Sequence, residues 1–283
     1  MRTIERFDAM GTWVEVRADH PAGHAAVRAD FELAEMCFSR FSTTSELSRM
    51  NAAPAGRVKL SRLLAAVLTT AAELAQRTNG LVDPAVGGRV IDWGYDRTFS
   101  DLGEVAAVQD GGRSTVDWSV ADDVIERPPG TRFDLGGIAK GLTADRAVQA
   151  GHAAVVSAGG DMASNDPATT VAVHDPWGEV AAHLHLGVGG LATSSISRRR
   201  WTAAGDAAHH LIDPRTGNPA VTPILSATVV ASTAAEAEAG AKAVLILGES
   251  GLSWAARQPW IRSALAVWYD GNVFATPGVE LAA

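Results

Sequence analysis

The stretch His209-His210-Leu211-Ile212-Asp213-Pro214-Arg215-Thr216-Gly217-Asn218-Pro219 places two imidazoles, a carboxylate and a guanidinium close together in the chain. Histidine titrates near neutral pH, aspartate can orient it, and arginine grips phosphate, so these residue types suit acid–base and phosphoryl chemistry. Asp-Pro and Thr-Gly also form turns, and a plain loop in which Asp213 pairs with Arg215 reads equally well. A Ser-His-Asp hydrolase would use the same groups, but no Gly-x-Ser-x-Gly elbow accompanies them.

Three further clusters join polar groups to glycine. Phe133-Asp134-Leu135-Gly136-Gly137-Ile138-Ala139-Lys140-Gly141 precedes a helix-compatible run from Leu142 to Ala150. Glycines there let backbone amides approach a ligand, a helix N-terminus favours an anion, and Lys140 offers a point charge, so a pyrophosphate would fit. The pattern is neither the dinucleotide fingerprint nor a P-loop, and a helix entry with a solvated lysine explains it as well. Ser157-Ala158-Gly159-Gly160-Asp161 follows an apolar run; its paired glycines admit a close backbone approach or simply a turn. Ala192-Thr193-Ser194-Ser195 is hydroxyl-rich, with an ordinary loop as its plain reading.

The elements that must position these groups show in the hydrophobic pattern. Thr12 to Ala18 alternates like a strand, and after Pro21 the apolar residues Val27, Phe31, Ala34 and Phe38 recur at helical spacing. Ser61 reads as the N-cap of a second helix with the stripe Leu64, Leu68, Ala71, Leu74, ending near Asn79 and Gly80; a polar loop separates the two helices. Short apolar runs at Ala153 to Val156 and Thr170 to His174 read as strands, and Ala234 to Leu247 reads as a late helix. Asp270-Gly271 between Leu265 to Tyr269 and Val273 to Ala275 reads as a two-residue hairpin turn with antiparallel pairing. The pattern contains no internal repeat and no linker, which favours one domain over residues 1–283.

The chain of 283 residues is 47% hydrophobic, enough for a large core, and carries a formal charge of −8. That acidity and the lack of a broad basic face argue against nucleic acid as a partner. The single cysteine, Cys37, excludes an internal disulfide and a multi-thiolate metal site. No stretch is apolar enough for membrane insertion or a signal peptide, so the expected compartment is the cytoplasm.

Taken in order, these segments resemble the FAD:protein FMN transferases, a family first labelled thiamine-biosynthesis lipoproteins. The resemblance is carried nearly end to end by Met10-Gly11-Thr12, Phe38-Ser39-Arg40-Phe41, Ser45-Glu46-Leu47-Ser48-Arg49-Met50-Asn51, Thr78-Asn79-Gly80-Leu81-Val82-Asp83-Pro84, Trp93-Gly94-Tyr95 and the four clusters. It implies a compact α+β fold with mixed or antiparallel sheets and flanking helices. It also implies that FAD is bound with Mg2+ on its diphosphate, and that a Ser or Thr hydroxyl of an acceptor flavoprotein takes the FMN half while AMP leaves. By match to the family's motifs, His210 is the expected base or activator of the acceptor ahead of its neighbour His209, and Asp213 is the second expected catalytic residue. Met10, Phe41, Leu81, Val82, Asp83, Asp134, Lys140, Gly159, Gly160, Asp161, Thr193 and Leu225 are the expected nucleotide contacts, and Gly137 and Glu238 the expected metal ligands.

One segment departs from the family. Members carry an Ala-Asp pair with a Thr four residues after the Asp, on the helix that ends in Leu-Gly. Counting back from Leu247-Gly248 puts Glu238 at the Asp position and Lys242 at the Thr position. An ammonium has no lone pair to give a metal. Lys242 either swings outward on a solvated helix face or sits where the metal would and neutralises the diphosphate itself. The departure keeps two other functions in view: a non-catalytic FAD-binding protein, and a pyrophosphatase that splits FAD with water.

Overall fold

The computed structural model describes residues 2–54, 56–103, 105, 108 and 117–282. Its principal helices are α1 (Pro21–Phe38), α2 (Glu46–Ala52), α3 (Arg62–Arg77), α4 (Gly87–Asp92), α5 (Ala139–Gln149) and α6 (Ala234–Leu247). The chain forms two compact units, Met1–Leu33 with Ile138–Ser197 and Val221–Ala283, and Ala34–Gly137 with Arg198–Ala220.

The first unit is built on an eight-stranded sheet whose strands lie side by side in chain order. They are β1 (Thr3–Ala9), β2 (Thr12–Ala18), β3 (Val155–Ala158), β4 (Asp161–Ser164), β5 (Gly189–Ser195), β6 (Ile224–Ala231), β7 (Ile261–Trp268) and β8 (Val273–Ala275). Every neighbouring pair is antiparallel. The α+β expectation therefore holds, with antiparallel ladders.

Strand β6 is buried at every position because both of its faces are covered. Val230 joins Leu191, Leu265 and Val267 in a core with Val173, Leu184 and Leu186. On the opposite face Val229 meets α6, where a Cβ added to Gly240 would lie 3.0 Å from Val229 Cγ1. The alanine-rich sequence of α6 follows from that closeness: small side chains let the helix lie low on the sheet. A second core packs Val27 and Phe31 of α1 and Ala144 and Ala147 of α5 against Phe7, Val14, Val16 and Val156.

The N-terminus of α6 is closed by two caps. Thr233 accepts from the Glu236 amide at 3.1 Å, and the carboxylate of Asp145 on α5 accepts from the amides of Ala234 and Ala235 at 2.8 and 3.0 Å. These are the orphan donors of a helix start, and a carboxylate also meets the positive end of the helix dipole.

In the second unit, the α3 stripe of Leu64, Leu68, Ala71 and Leu74 is buried as its spacing requires, with Ser61 as N-cap. The expected polar loop between α1 and α3 instead holds α2 and a short strand, Arg57–Lys59. Ser45 caps α2 through the Ser48 amide at 2.9 Å, and Leu47 and Met50 point inward. Buried Arg127 donates to Met50 O and Ala53 O at the end of α2, supplying the helix's last carbonyls with partners.

Three other boundaries differ from the sequence reading. Helix α5 begins at Ala139, so Lys140 lies in its first turn. The strand expected over Ala153 to Val156 is shifted to Val155–Ala158. The last hairpin is longer than two residues: Val267 pairs with Val273, and Asp270 closes the loop by accepting from the Asn272 amide at 3.0 Å. Only Gly271 there has positive φ, whereas a type I′ turn needs two such residues.

Replacing Asp145 with Ala strips acceptors from two buried amides and is expected to destabilise the fold by about 2 kcal/mol. Burial pushes the Asp145 carboxyl up to about 6, against the pull of the two amides. The folded chain thus holds this proton more tightly than the unfolded chain, and the stability tied to it is present at low pH and lost as pH rises through about 6. Urea melts of wild type and Asp145→Ala at several pH values should show the wild-type advantage narrowing across that window. An advantage that widens contradicts the assignment.

Candidate functional site

In the first unit, two carboxylates and two ammoniums converge. Lys140 on α5, Asp161 at the start of β4, and Glu238 and Lys242 one turn apart on α6 form a continuous set of ion pairs. Lys140 Nζ lies 3.0 Å from Asp161 Oδ2 and 3.6 Å from Glu238 Oε1, and Lys242 Nζ lies 3.0 Å from the same Glu238 oxygen. Asp161 and Glu238 are both buried, and the Lys242 side chain is only 14% exposed. The outward-swung alternative for Lys242 is therefore wrong: its i,i+4 partner on α6 turns it inward.

Local chain geometry sets these positions. Gly159 and Gly160, both at positive φ, form the two-residue turn joining β3 to β4, which delivers Asp161 at the first rung. A Cβ on Gly159 would stand 2.4 Å from Thr12 Oγ1, so that position also needs glycine for space. Met10 and Gly11 make the adjoining turn from β1 to β2, with Met10 at φ 52°. Thr193 is in a central strand rather than a loop; its amide donates to Gly160 O at 3.2 Å and its hydroxyl bonds Thr228 at 2.8 Å. The expected residues Met10, Lys140, Gly159, Gly160, Asp161, Thr193 and Glu238 thus gather around one end of the sheet. Leu225 lies farther along β6, its carbonyl accepting from Ser195 and Ile196.

Burial comes first among the causes that push the Asp161 carboxyl up to about 6, with the negative charge of Glu238 next and Lys140 opposing. For Glu238 burial also works against ionisation, but the two lysines outweigh it and hold the carboxyl below its ordinary value. The two acids are therefore driven apart, with Glu238 the firmly ionised member.

The second unit holds the other expected residues. Asn51 clasps the Phe133 backbone from both sides, donating to its carbonyl at 2.9 Å and accepting from its amide at 2.8 Å. The next amide, Asp134 N, donates to Pro84 O at 2.8 Å, which brings the Leu81-Val82-Asp83-Pro84 turn against the glycine-rich segment. Asp134 accepts from Gly136 N at 2.7 Å and from Arg40 Nε at 2.8 Å. Gly137 closes this turn just before α5. Asp83 accepts from Ala85 N and from Trp118 Nε1, and burial raises its carboxyl above the ordinary value. Leu81 is buried and Val82 half-buried.

Arg40 was not among the expected contacts. Its guanidinium lies 4.1 Å from the Phe41 ring centre and 4.5 Å from that of Tyr95, while Tyr95 packs on Trp201 at 5.6 Å. The result is a cation–aromatic stack with Phe41 at its exposed edge. A cation flanked by aromatics in Phe38-Ser39-Arg40-Phe41 was the available signal.

The two histidines separate clearly. His209 is buried, its Nε2 donates to Ala220 O at 3.0 Å, and its Nδ1 accepts from Leu211 N at 3.3 Å. Burial, and to a lesser degree Arg200, lower its affinity for a proton against the opposing pull of Ala220 O, so it stays neutral. His210 is half-buried on the loop that follows. Asp213 binds Arg215 through a fork, with Nε to Oδ1 at 2.9 Å and Nη2 to Oδ2 at 2.7 Å. Its carbonyl accepts from Gly217 N, whose own carbonyl is held by Arg89 and Trp93. Asp213 is therefore the builder of the loop that carries His210, the Asp–Arg pairing that the residue types allowed.

The model of the ApbE family matches residues 10–265. The chain belongs to the ApbE family. Its ApbE-family relatives include an FAD:protein FMN transferase from Rhodobacter capsulatus, 31% identical over 96% of this chain and 57% of that protein. Another, from Treponema pallidum, is 31% identical over 94% of this chain and 84% of its own length. The chain thus spans little more than half of the Rhodobacter relative. Among solved structures, the ApbE protein of Thermotoga maritima superposes with a TM-score of 0.84 at 25% identity, covering 98% of this chain and 97% of that one. The flavin transferase ApbE from Vibrio cholerae shares the fold, with a TM-score of 0.77 at 21% identity over 98% and 97% of the two chains.

The Mg2+ implied by the resemblance to ApbE proteins does not suit the donor set seen here. No group of three or more His, Cys, Asp or Glu is arranged to hold a metal among the described residues. Mg2+ prefers near-octahedral oxygen ligands at about 2.1 Å. At Glu238 Oε1 it would meet two ammoniums, each at ion-pair distance from that oxygen. At about 4 Å and an intermediate dielectric, unit charges repel by roughly 4 kcal/mol, and a divalent ion doubles that for each ammonium.

Glu238→Gln removes the negative neighbour that helps to hold the Asp161 proton. The Asp161 carboxyl should then titrate below its value of about 6, with carboxyl carbon NMR as the readout. An unchanged or higher midpoint rules out the charge coupling described here.

Proposed function

We propose that the chain transfers the FMN half of FAD, as a phosphate ester, to a Ser or Thr hydroxyl of an acceptor flavoprotein, with release of AMP. The observation that carries this reading is the family match across residues 10–265, which contains every expected site residue. The FAD:protein FMN transferase names of relatives at 31% identity support the substrate assignment.

The acceptor oxygen attacks the phosphorus on the FMN side. A new O–P bond forms as the bond to the AMP oxygen breaks, and the hydroxyl proton passes to a base. His210 fits the base role because His209 already uses both ring nitrogens within the protein. Asp213 and Arg215 hold the His210 loop in place, acting as positioning residues. Lys140 and the Gly159-Gly160-Asp161 turn are assigned to the diphosphate.

His210→Ala should lower transfer by at least about a hundredfold while FAD remains bound, as expected when a general base is removed. Incubation with FAD and a small flavoprotein acceptor, followed by in-gel flavin fluorescence and AMP release, measures this. Full turnover in the variant removes His210 from the mechanism. Release of AMP and free FMN without an acceptor would mark the protein as a pyrophosphatase, and tight FAD binding without AMP would mark it as a binding protein.

A further inference from the structure

Lys242 lies inside the site rather than on the solvent face of α6. Its ammonium and that of Lys140 flank one oxygen of Glu238, and Lys140 also reaches Asp161. With both acids ionised, the four side chains sum to zero charge. In the nucleotide-free site, a divalent ion added to that set would leave an excess of two positive charges in a nearly closed environment, which a protein interior disfavours. Taking Lys242 away reverses the balance: Asp161 and Glu238 would then share only Lys140, and the surplus negative charge would invite a cation.

We infer that Lys242 is a built-in replacement for the metal ion: its tethered ammonium supplies the positive charge beside the FAD diphosphate, so nucleotide binding by this chain needs no divalent cation. An ammonium suits the task because it offers three donors and a compact charge to phosphate oxygens. The inference rests on FAD being the substrate, and the test separates the two ideas.

The test uses Mn2+ alone as a probe, followed by electron paramagnetic resonance, on the full wild-type chain, Glu238→Gln, Lys242→Thr and the double variant Lys242→Thr/Glu238→Gln. The wild type should show no Mn2+ site dependent on Glu238, Lys242→Thr should gain one, and the double variant should lose it again. In parallel, quenching of flavin fluorescence should show wild-type FAD affinity unchanged by chelator. Lys242→Thr should bind FAD at least about tenfold more weakly in chelator and recover with Mg2+, about 1.4 kcal/mol of ion-dependent binding.

Thermal melts establish that each variant is folded; if Lys242→Thr melts early, Lys242→Met serves for the chelator arm, where its FAD affinity should fall at least about tenfold. A wild-type Mn2+ site abolished by Glu238→Gln, or loss of wild-type FAD binding in chelator, overturns the inference. So does a folded Lys242→Thr that gains no Mn2+ site. Bound FAD with no covalent flavin on any acceptor sinks the transferase reading and leaves the metal-free site standing; no FAD binding with or without Mg2+ sinks both.

Discussion

A buried carboxylate is tolerable only when something offsets its lost hydration, and three of them, Asp145, Asp161 and Glu238, lie on or against α6 in the first unit. Each is compensated differently. Asp145 takes two backbone amides of the helix start, Asp161 takes the Lys140 ammonium, and Glu238 lies between two ammoniums. All three solutions require α6 to sit low on the sheet. A Cβ on Gly190 of β5 would come within 2.0 Å of the Ala234 amide nitrogen, so the strand passes against the very start of the helix. The small residues of β5 and α6 are thus the condition for the charged cluster as well as for the core.

Much of this architecture was legible in the sequence wherever one periodicity ran long enough. Helices α1, α3 and α6 and the strand Thr170–His174 follow from sustained apolar spacing or from a cap at the right place. Helix α2 was hidden because so short a helix turns only Leu47 and Met50 inward, too few to mark a period. The strand character of Ala192 to Ser195 was masked by its hydroxyls; β5 is central, and Thr193 satisfies its hydroxyl with Thr228 from the neighbouring strand. That partnership depends on the β5–β6 register, which local sequence does not encode.

The candidate site shows the same division. Lys140, Asp161 and Glu238 could each be singled out, but spacing gave no sign that they would bind one another, since they come from α5, β4 and α6. For the adjacent histidines, residue type offered no separation at all. The separation comes from the backbone: Ala220 O and Leu211 N return to His209, a consequence of the tight pairing of Ile212–Asp213 with Asn218–Pro219. The loop that commits His209 to structure is the one that leaves His210 half-buried at its edge.

The two departures at 238 and 242 make better sense together than singly. Lysine alone at 242 would introduce an ammonium into a site with limited water, where a charge needs a close partner. Glutamate at 238 carries one methylene more than aspartate, and the 3.0 Å contact shows that its carboxylate reaches along the helix face to Lys242. Glu preceding Lys by four residues is also the favourable order on a helix. The same Glu238 oxygen remains 3.6 Å from Lys140, so the longer acid joins the new ammonium to the one that already faces Asp161. A lengthened acid and an added base therefore act as one charge-balanced unit, with Glu238 as the joint between the two lysines.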